Sequence, residues 1–159
     1  MKIAGQTIQA PQSIEVPIPK LDANGDEYFI VFKIKPIMNF DAFNKQFPAP
    51  VPPTKKNSKV EYLDYEDQEY KEARLAYAEL RICWMFLQAT SDTNIEWDTV
   101  TEDPSTWGGY EKELLDNGFT VPEIEELLSK VLQLSGLSST NLEEARKRFL
   151  ALREEQARN

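Results

Sequence analysis

At 159 residues, 41% of them apolar, the chain is long enough to bury a hydrophobic core as a single domain without a disulfide or a metal to staple it. It has no histidine and one cysteine, which excludes histidine-based catalytic triads, histidine-ligated zinc and any internal disulfide. Its 18 basic and 27 acidic residues leave a formal charge of -9, a field that repels nucleic-acid phosphate, so direct nucleic-acid binding is not expected.

Residues 1–37 read as strands: Lys2 to Gln9, Ser13 to Ile18, and Glu27 to Ile37, the last placing Tyr28, Ile30, Phe32 and Ile34 on one face. The short connection around Asn24-Gly25 predicts antiparallel pairing, because parallel strands need a long crossover; the three strands are expected to form a meander. Pro17 and Pro19 put the second strand at an edge, or end it there. Asp22, Asn24 and Asp26 imitate the start of a calcium loop. Gly25 falls at its fourth position instead of its sixth and Lys33 stands where a bidentate Glu is needed, so a hairpin turn is the better reading. Met1 to Ala10 has no apolar core of signal-peptide type, and no run approaches the roughly 18 apolar residues of a membrane span; a non-secreted protein off the membrane is expected.

Asn39 or Asp41 can cap a short helix carrying Phe43 and Phe47. Pro48, Pro50, Pro52 and Pro53 then impose an extended backbone, and Lys55, Lys56 and Lys59 follow. Residues 48–59 are therefore predicted to be an exposed, proline-rich connector between the sheet and a helical part over 60–156. The four prolines are also candidate partner-binding residues, since such a segment is either a spacer or a ligand for a partner's aromatic groove.

Glu61, Asp64, Glu66, Asp67 and Glu69 crowd the start of a long helix, where the helix dipole favours negative charge. That helix runs from Glu66 to about Ala89, with Tyr70, Ala73, Tyr77, Leu80, Trp84 and Leu87 as its apolar stripe. Cys83 lies within it as a small packing residue, since no histidine is available to make a thiolate. Asp103-Pro104 opens a helix to Asp116, stopped by Asn117-Gly118. Thr120 and Glu123 form a capping box for Val121 to about Leu134, which buries Ile124, Leu127, Leu128, Val131 and Leu134 and ends at Gly136. Thr140 and Glu143 repeat the signal for a last helix, Asn141 to about Gln156, with Leu142, Ala145, Phe149 and Leu152 on one face. The whole reads as one α+β domain, an N-terminal antiparallel β-meander followed by a C-terminal set of about four α-helices.

Trp97 and Trp107 fall in the loop-rich stretch between helices. Filling interhelical space is the commoner role of such residues; an anchor pair for a partner is the sharper one, and both are candidate partner-binding residues. With no nucleophile motif and no phosphate-cradling glycine loop, no catalytic residue, cofactor or metal is expected, and the protein is read as a non-enzyme that binds another protein.

Several segments in order resemble the tail assembly chaperones of tailed bacteriophages. They are Phe47-Pro48-Ala49-Pro50-Val51-Pro52-Pro53, Ile95-Glu96-Trp97-Asp98-Thr99-Val100 with Asp103-Pro104-Ser105-Thr106-Trp107, Glu113 to Phe119, and Leu137 with Leu142 to Leu150. The resemblance implies a non-enzymatic partner of the tape-measure protein, working in the host cytoplasm to keep that long apolar helix soluble until tail-tube proteins polymerise around it. Two other roles stay open: a structural adaptor of the virion tail or neck, and an acidic inhibitor of a host protein.

Overall fold

A computed structural model describes residues 1–136 and 139–158, with the side chains of residues 139–142 outside the description. It is α+β, with antiparallel strand pairs followed by helices. The principal sheet is the hairpin of β3 (Ile14–Leu21) and β4 (Glu27–Ile34), in which Val16 faces Phe32 and Ile18 faces Ile30. Strict alternation sends Val16, Ile18, Phe32 and Ile34 into the core. Pro17 and Pro19 lie on the other face, opposite Val31 and Phe29. In a two-stranded sheet both strands are edges, so the amide protons that proline lacks are not missed by a neighbour. The turn is held by Asp22, whose carboxylate accepts from the amides of Asn24 (2.8 Å) and Asp26 (2.9 Å), while Gly25 takes a positive φ of 80°. The imitation calcium loop is thus a hairpin turn with its leading carboxylate already engaged.

The three-stranded meander does not form. β1 (Lys2–Ile3) and β2 (Gln6–Thr7) pair only with each other, around Ala4 and Gly5 at φ 50° and 81°. Gly5, expected within a strand, instead supplies the left-handed backbone that a tight hairpin requires. The connector expectation is also corrected. Residues 48–53 have no regular secondary structure, but β5 (Thr54–Asn57) and β6 (Val60–Leu63) form a third hairpin, turning at Ser58 with φ 55°. Every residue in both strands is exposed. Thr-Lys-Lys-Asn carries no apolar alternation that would mark it as a strand in the sequence.

Helix α1 (Asp41–Gln46) buries Phe43. Its N-cap is Phe40, without a side-chain capping bond, although the Asn39 side chain accepts from the Asp41 amide at 3.1 Å. Helix α2 (Gln68–Ala89) starts at Asp67, whose carboxylate accepts from the Tyr70 amide at 3.0 Å. The buried line along α2 differs from the expected stripe: Met85, Phe86 and Ala89 are buried, Tyr70, Tyr77, Leu80, Trp84 and Leu87 are half-buried, and Ala73 is exposed. Neighbours touch this helix on more than one side at its C-terminal end, so the deepest residues lie between the two rows that periodicity marks. Phe86 stacks on Tyr110 there, with ring centroids 4.4 Å apart.

Beyond α2, a 3-10 turn over Ser91–Thr93 ties back to β4, where the Lys33 amide donates to the Thr93 hydroxyl at 2.9 Å. The helix expected from Pro104 divides into a 3-10 segment, Pro104–Gly109, and α3 (Tyr110–Asp116). α3 ends as predicted at Asn117-Gly118: the Phe119 amide reaches back to the Leu114 carbonyl and the Gly118 amide to that of Leu115, a Schellman closure with Gly118 at φ 91°. α4 (Val121–Leu134) carries the expected Thr120/Glu123 capping box and buries Ile124, Leu127 and Val131. Lys20 fastens the β3–β4 hairpin to this corner, with its ammonium 4.3 Å from the Phe119 ring centre, 2.9 Å from the Gly118 carbonyl and 2.5 Å from Glu123. α5 (Ser139–Arg158) follows, and its described side chains from Glu143 onward are exposed. The capping bond expected of Thr140 lies outside the described side chains. Among the described residues no helix is long and apolar enough to cross a membrane.

Candidate functional site: a tryptophan-lined groove

The stretch between α2 and α3 has little secondary structure and is fixed by side chains. Glu113, on α3, is buried apart from about 9% of its surface and accepts from the amides of Asp98 and Thr99 and from the Thr99 hydroxyl. The hydroxyl and amide donors hold its carboxyl below the usual carboxylate range. One charged group therefore clamps Asp98 and Thr99 onto α3 and positions Trp97 beside them.

The next six residues are organised by short polar side chains. Asp103 accepts from the Ser105 amide and hydroxyl, both at 2.9 Å, which lowers its own carboxyl pKa and caps the 3-10 segment. The Thr106 hydroxyl accepts from the Thr101 amide and donates to the Asp103 carbonyl. Trp107 is turned inward by this arrangement: its indole N–H donates to the Thr101 carbonyl at 3.1 Å and its ring meets Phe47 edge-on at 5.7 Å.

Trp97 and Trp107 thus come together, and α2 adds Trp84 and Leu87. All three tryptophans of the chain line one groove of about 400 Å3, with Val100 at its wall and Gln46, Gln88, Thr101 and Glu102 among its polar residues. The two expected candidates differ in burial. Trp107 is 8% exposed and fills space between elements, while Trp97 is half-buried. Trp84 packs its ring 5.5 Å from Phe43 and 6.0 Å from Phe40. Neither Trp84 nor Glu113 stood out in the sequence as part of a site. Trp84 is indistinguishable from a core stripe on α2, and a carboxylate three residues before the expected helix end is ordinarily solvated.

The proline candidates do not join this groove. Pro48 is exposed and Pro50, Pro52 and Pro53 are half-buried; Pro50 lines a different depression beside the first half of α2. The acidic cluster at the start of α2 is likewise apart, with Asp64 and Asp67 bound to Lys55 and Glu66 to Lys71. Among the described residues no group of three or more acidic or cysteine side chains could hold a metal ion. Burial pushes the Cys83 thiol above its ordinary pKa and takes the Tyr110 phenol up to about 12, so both stay protonated and neutral at pH 7. The arrangement offers apolar, aromatic contact with a few hydrogen-bonding groups, which suits recognition. Compared with known proteins, the chain matches no family model, no curated protein and no solved structure.

Proposed function

We propose that the chain is a non-enzymatic tail assembly chaperone of the bacteriophage type, whose tryptophan groove takes apolar side chains projecting from the tape-measure helix. The observation that carries this reading is the convergence of Trp84, Trp97 and Trp107 on one open groove. A helix with its side chains is about 10–12 Å across, too wide for a depression of about 400 Å3 to swallow. The groove instead suits a few anchoring side chains of a client helix lying across it, the mode in which aromatic pockets supply most of an interface's affinity. A charge of -9 keeps such a protein from self-association while it holds an apolar client. The segments that resemble tail assembly chaperones include Trp97 and Trp107 themselves.

Coexpression with a bacteriophage tape-measure protein tests the reading. The client should copurify with the native chain, and Trp97→Ala, at the half-buried wall, should abolish copurification while leaving thermal melting close to native. Trp107→Ala should instead destabilise the fold by about 3 kcal/mol or more, as the loss of a buried aromatic does. Undiminished capture by Trp97→Ala would remove the groove from the interface. Stoichiometric presence of the chain in mature virions would favour the structural adaptor, a role to which the apolar outer face of β3–β4 lends itself, with Phe29 56% and Val31 41% exposed.

A further inference from the structure

A second groove, of about 460 Å3, runs between Pro50 and one face of α2. Tyr70, Arg74, Tyr77 and Arg81 line it from the helix, and Tyr65, packed edge-on against Tyr70, lines it from the segment before. Its charge stands against that of the molecule. No carboxylate lines it, and neither Arg74 nor Arg81 enters an ion pair among the described residues. The guanidinium of Arg81 lies over the Phe40 ring, 5.1 Å from its centre, and its buried Nε has no hydrogen-bond partner. A chain with 27 acidic residues leaves two arginines on one aromatic-walled face without a carboxylate.

Spacing narrows the ligand. Arg74 and Arg81 are seven residues apart on a helix, a rise of about 10 Å. A polyproline II segment brings every third side chain to one face at intervals of about 9 Å. Walls of tyrosine and proline are the surface on which such segments dock, and guanidinium forks bind carboxylates in bidentate fashion. The chain's own proline segment, residues 48–53, contains no acidic residue and already forms part of the wall, so it is not the occupant.

We propose that the Arg74–Arg81 groove binds an acidic, proline-rich segment of a partner protein, with carboxylates three residues apart on the two arginines and prolines against the tyrosines. This site is separate from the tryptophan groove and does not depend on the function assigned to it.

The test is a titration of the full chain with an acetylated, amidated and fluorescently labelled octapeptide, Pro-Pro-Glu-Pro-Pro-Glu-Pro-Pro, read by fluorescence anisotropy. Saturable binding is expected, weakened about tenfold or more when both Glu are replaced by Gln, and by a similar factor in Arg74→Gln, as the loss of a charge-assisted hydrogen bond requires. Arg74 does not stack on Phe40, so its variant should melt like the native chain; Arg81→Lys, which keeps charge but not the fork, should bind more weakly than native and also remain folded. Equal affinity for the Glu and Gln peptides, undiminished binding by Arg74→Gln, or no peptide binding alongside saturable binding of inorganic phosphate would each overturn the proposal.

Discussion

Two hairpins of the same molecule, β3–β4 and β5–β6, have complete antiparallel ladders and opposite relations to the core. In the first, Val16, Ile18, Phe32 and Ile34 are buried, and Lys20 bolts the strand to the α3–α4 corner. In the second every residue is exposed, and what binds it to its surroundings is polar: Lys55 reaches Asp64 and Asp67, and the Asp64 amide donates to the Pro53 carbonyl at 2.9 Å. Backbone hydrogen bonds exchange for bonds to water with a small net gain, and an isolated two-stranded hairpin is marginal in water. Burial of an apolar face, not the ladder, therefore separates a structural element from an appendage in this protein.

The largest effect should come from breaking the first hairpin's buried face. Phe32 is 2% exposed and meets Phe119 edge-on at 5.7 Å, so Phe32→Ala should cost about 3–5 kcal/mol in urea unfolding. Tyr62→Ala, on the exposed hairpin, should stay within about 0.5 kcal/mol of native. Comparable losses from the two substitutions would show that the second hairpin is packed after all.

The next effect concerns a polar group that is integrated as the second hairpin's polar groups are not. The folded state holds the Glu113 carboxyl below its ordinary range through the Thr99 hydroxyl and the Asp98 and Thr99 amides. A depressed folded-state pKa means that Glu113 contributes stability above its unfolded value, about 4.3, and loses it as pH falls through the lower folded value. Glu113→Gln should accordingly melt below native at pH 7, with the gap closing on acidification below about pH 4. The native Trp97 fluorescence environment should change with it. A gap independent of pH would mean that the clamp acts through shape alone.

The smallest global effect is expected at Lys55. Its hydrogen bonds to Asp64 and Asp67 raise its pKa and lower that of Asp64, while the Asp67 carboxyl is lowered first by the Tyr70 amide and then by Lys55; the group is solvated, and exposed ion pairs contribute little to overall stability. Lys55→Ala should leave the melting transition in place while amide exchange accelerates across residues 54–63, a local opening without global unfolding. A drop in the global transition would tie the β5–β6 hairpin into the cooperative unit.

Local chemistry was legible in the sequence wherever one short segment contained all its partners. Thr120 and Glu123 form the predicted box, Asp103 caps its segment, Asn117-Gly118 stops α3, and the Tyr28-to-Ile34 alternation places Phe32 and Ile34 in the core. The α+β class followed from these signals. The third hairpin did not, because its strands bury nothing, and Gly5 gave no sign whether it would break a strand or turn one. The candidate site was half visible: Trp97 and Trp107 could be singled out as large aromatics between helices, but their separate depths could not.

The sequence by itself determined the Thr120/Glu123 start of α4, the Asn117-Gly118 end of α3 and which face of β4 turns inward, since caps and alternation act over three or four residues. Only the tertiary structure decided that Trp84, 13 and 23 residues before Trp97 and Trp107, shares a groove with them, and that Glu113 reaches back to hold the intervening loop. It also set Arg74 and Arg81 along one groove that no carboxylate lines. These are contacts between distant segments, set by how the elements pack, and a pattern read within a few residues contains no information about which distant surface will lie against it.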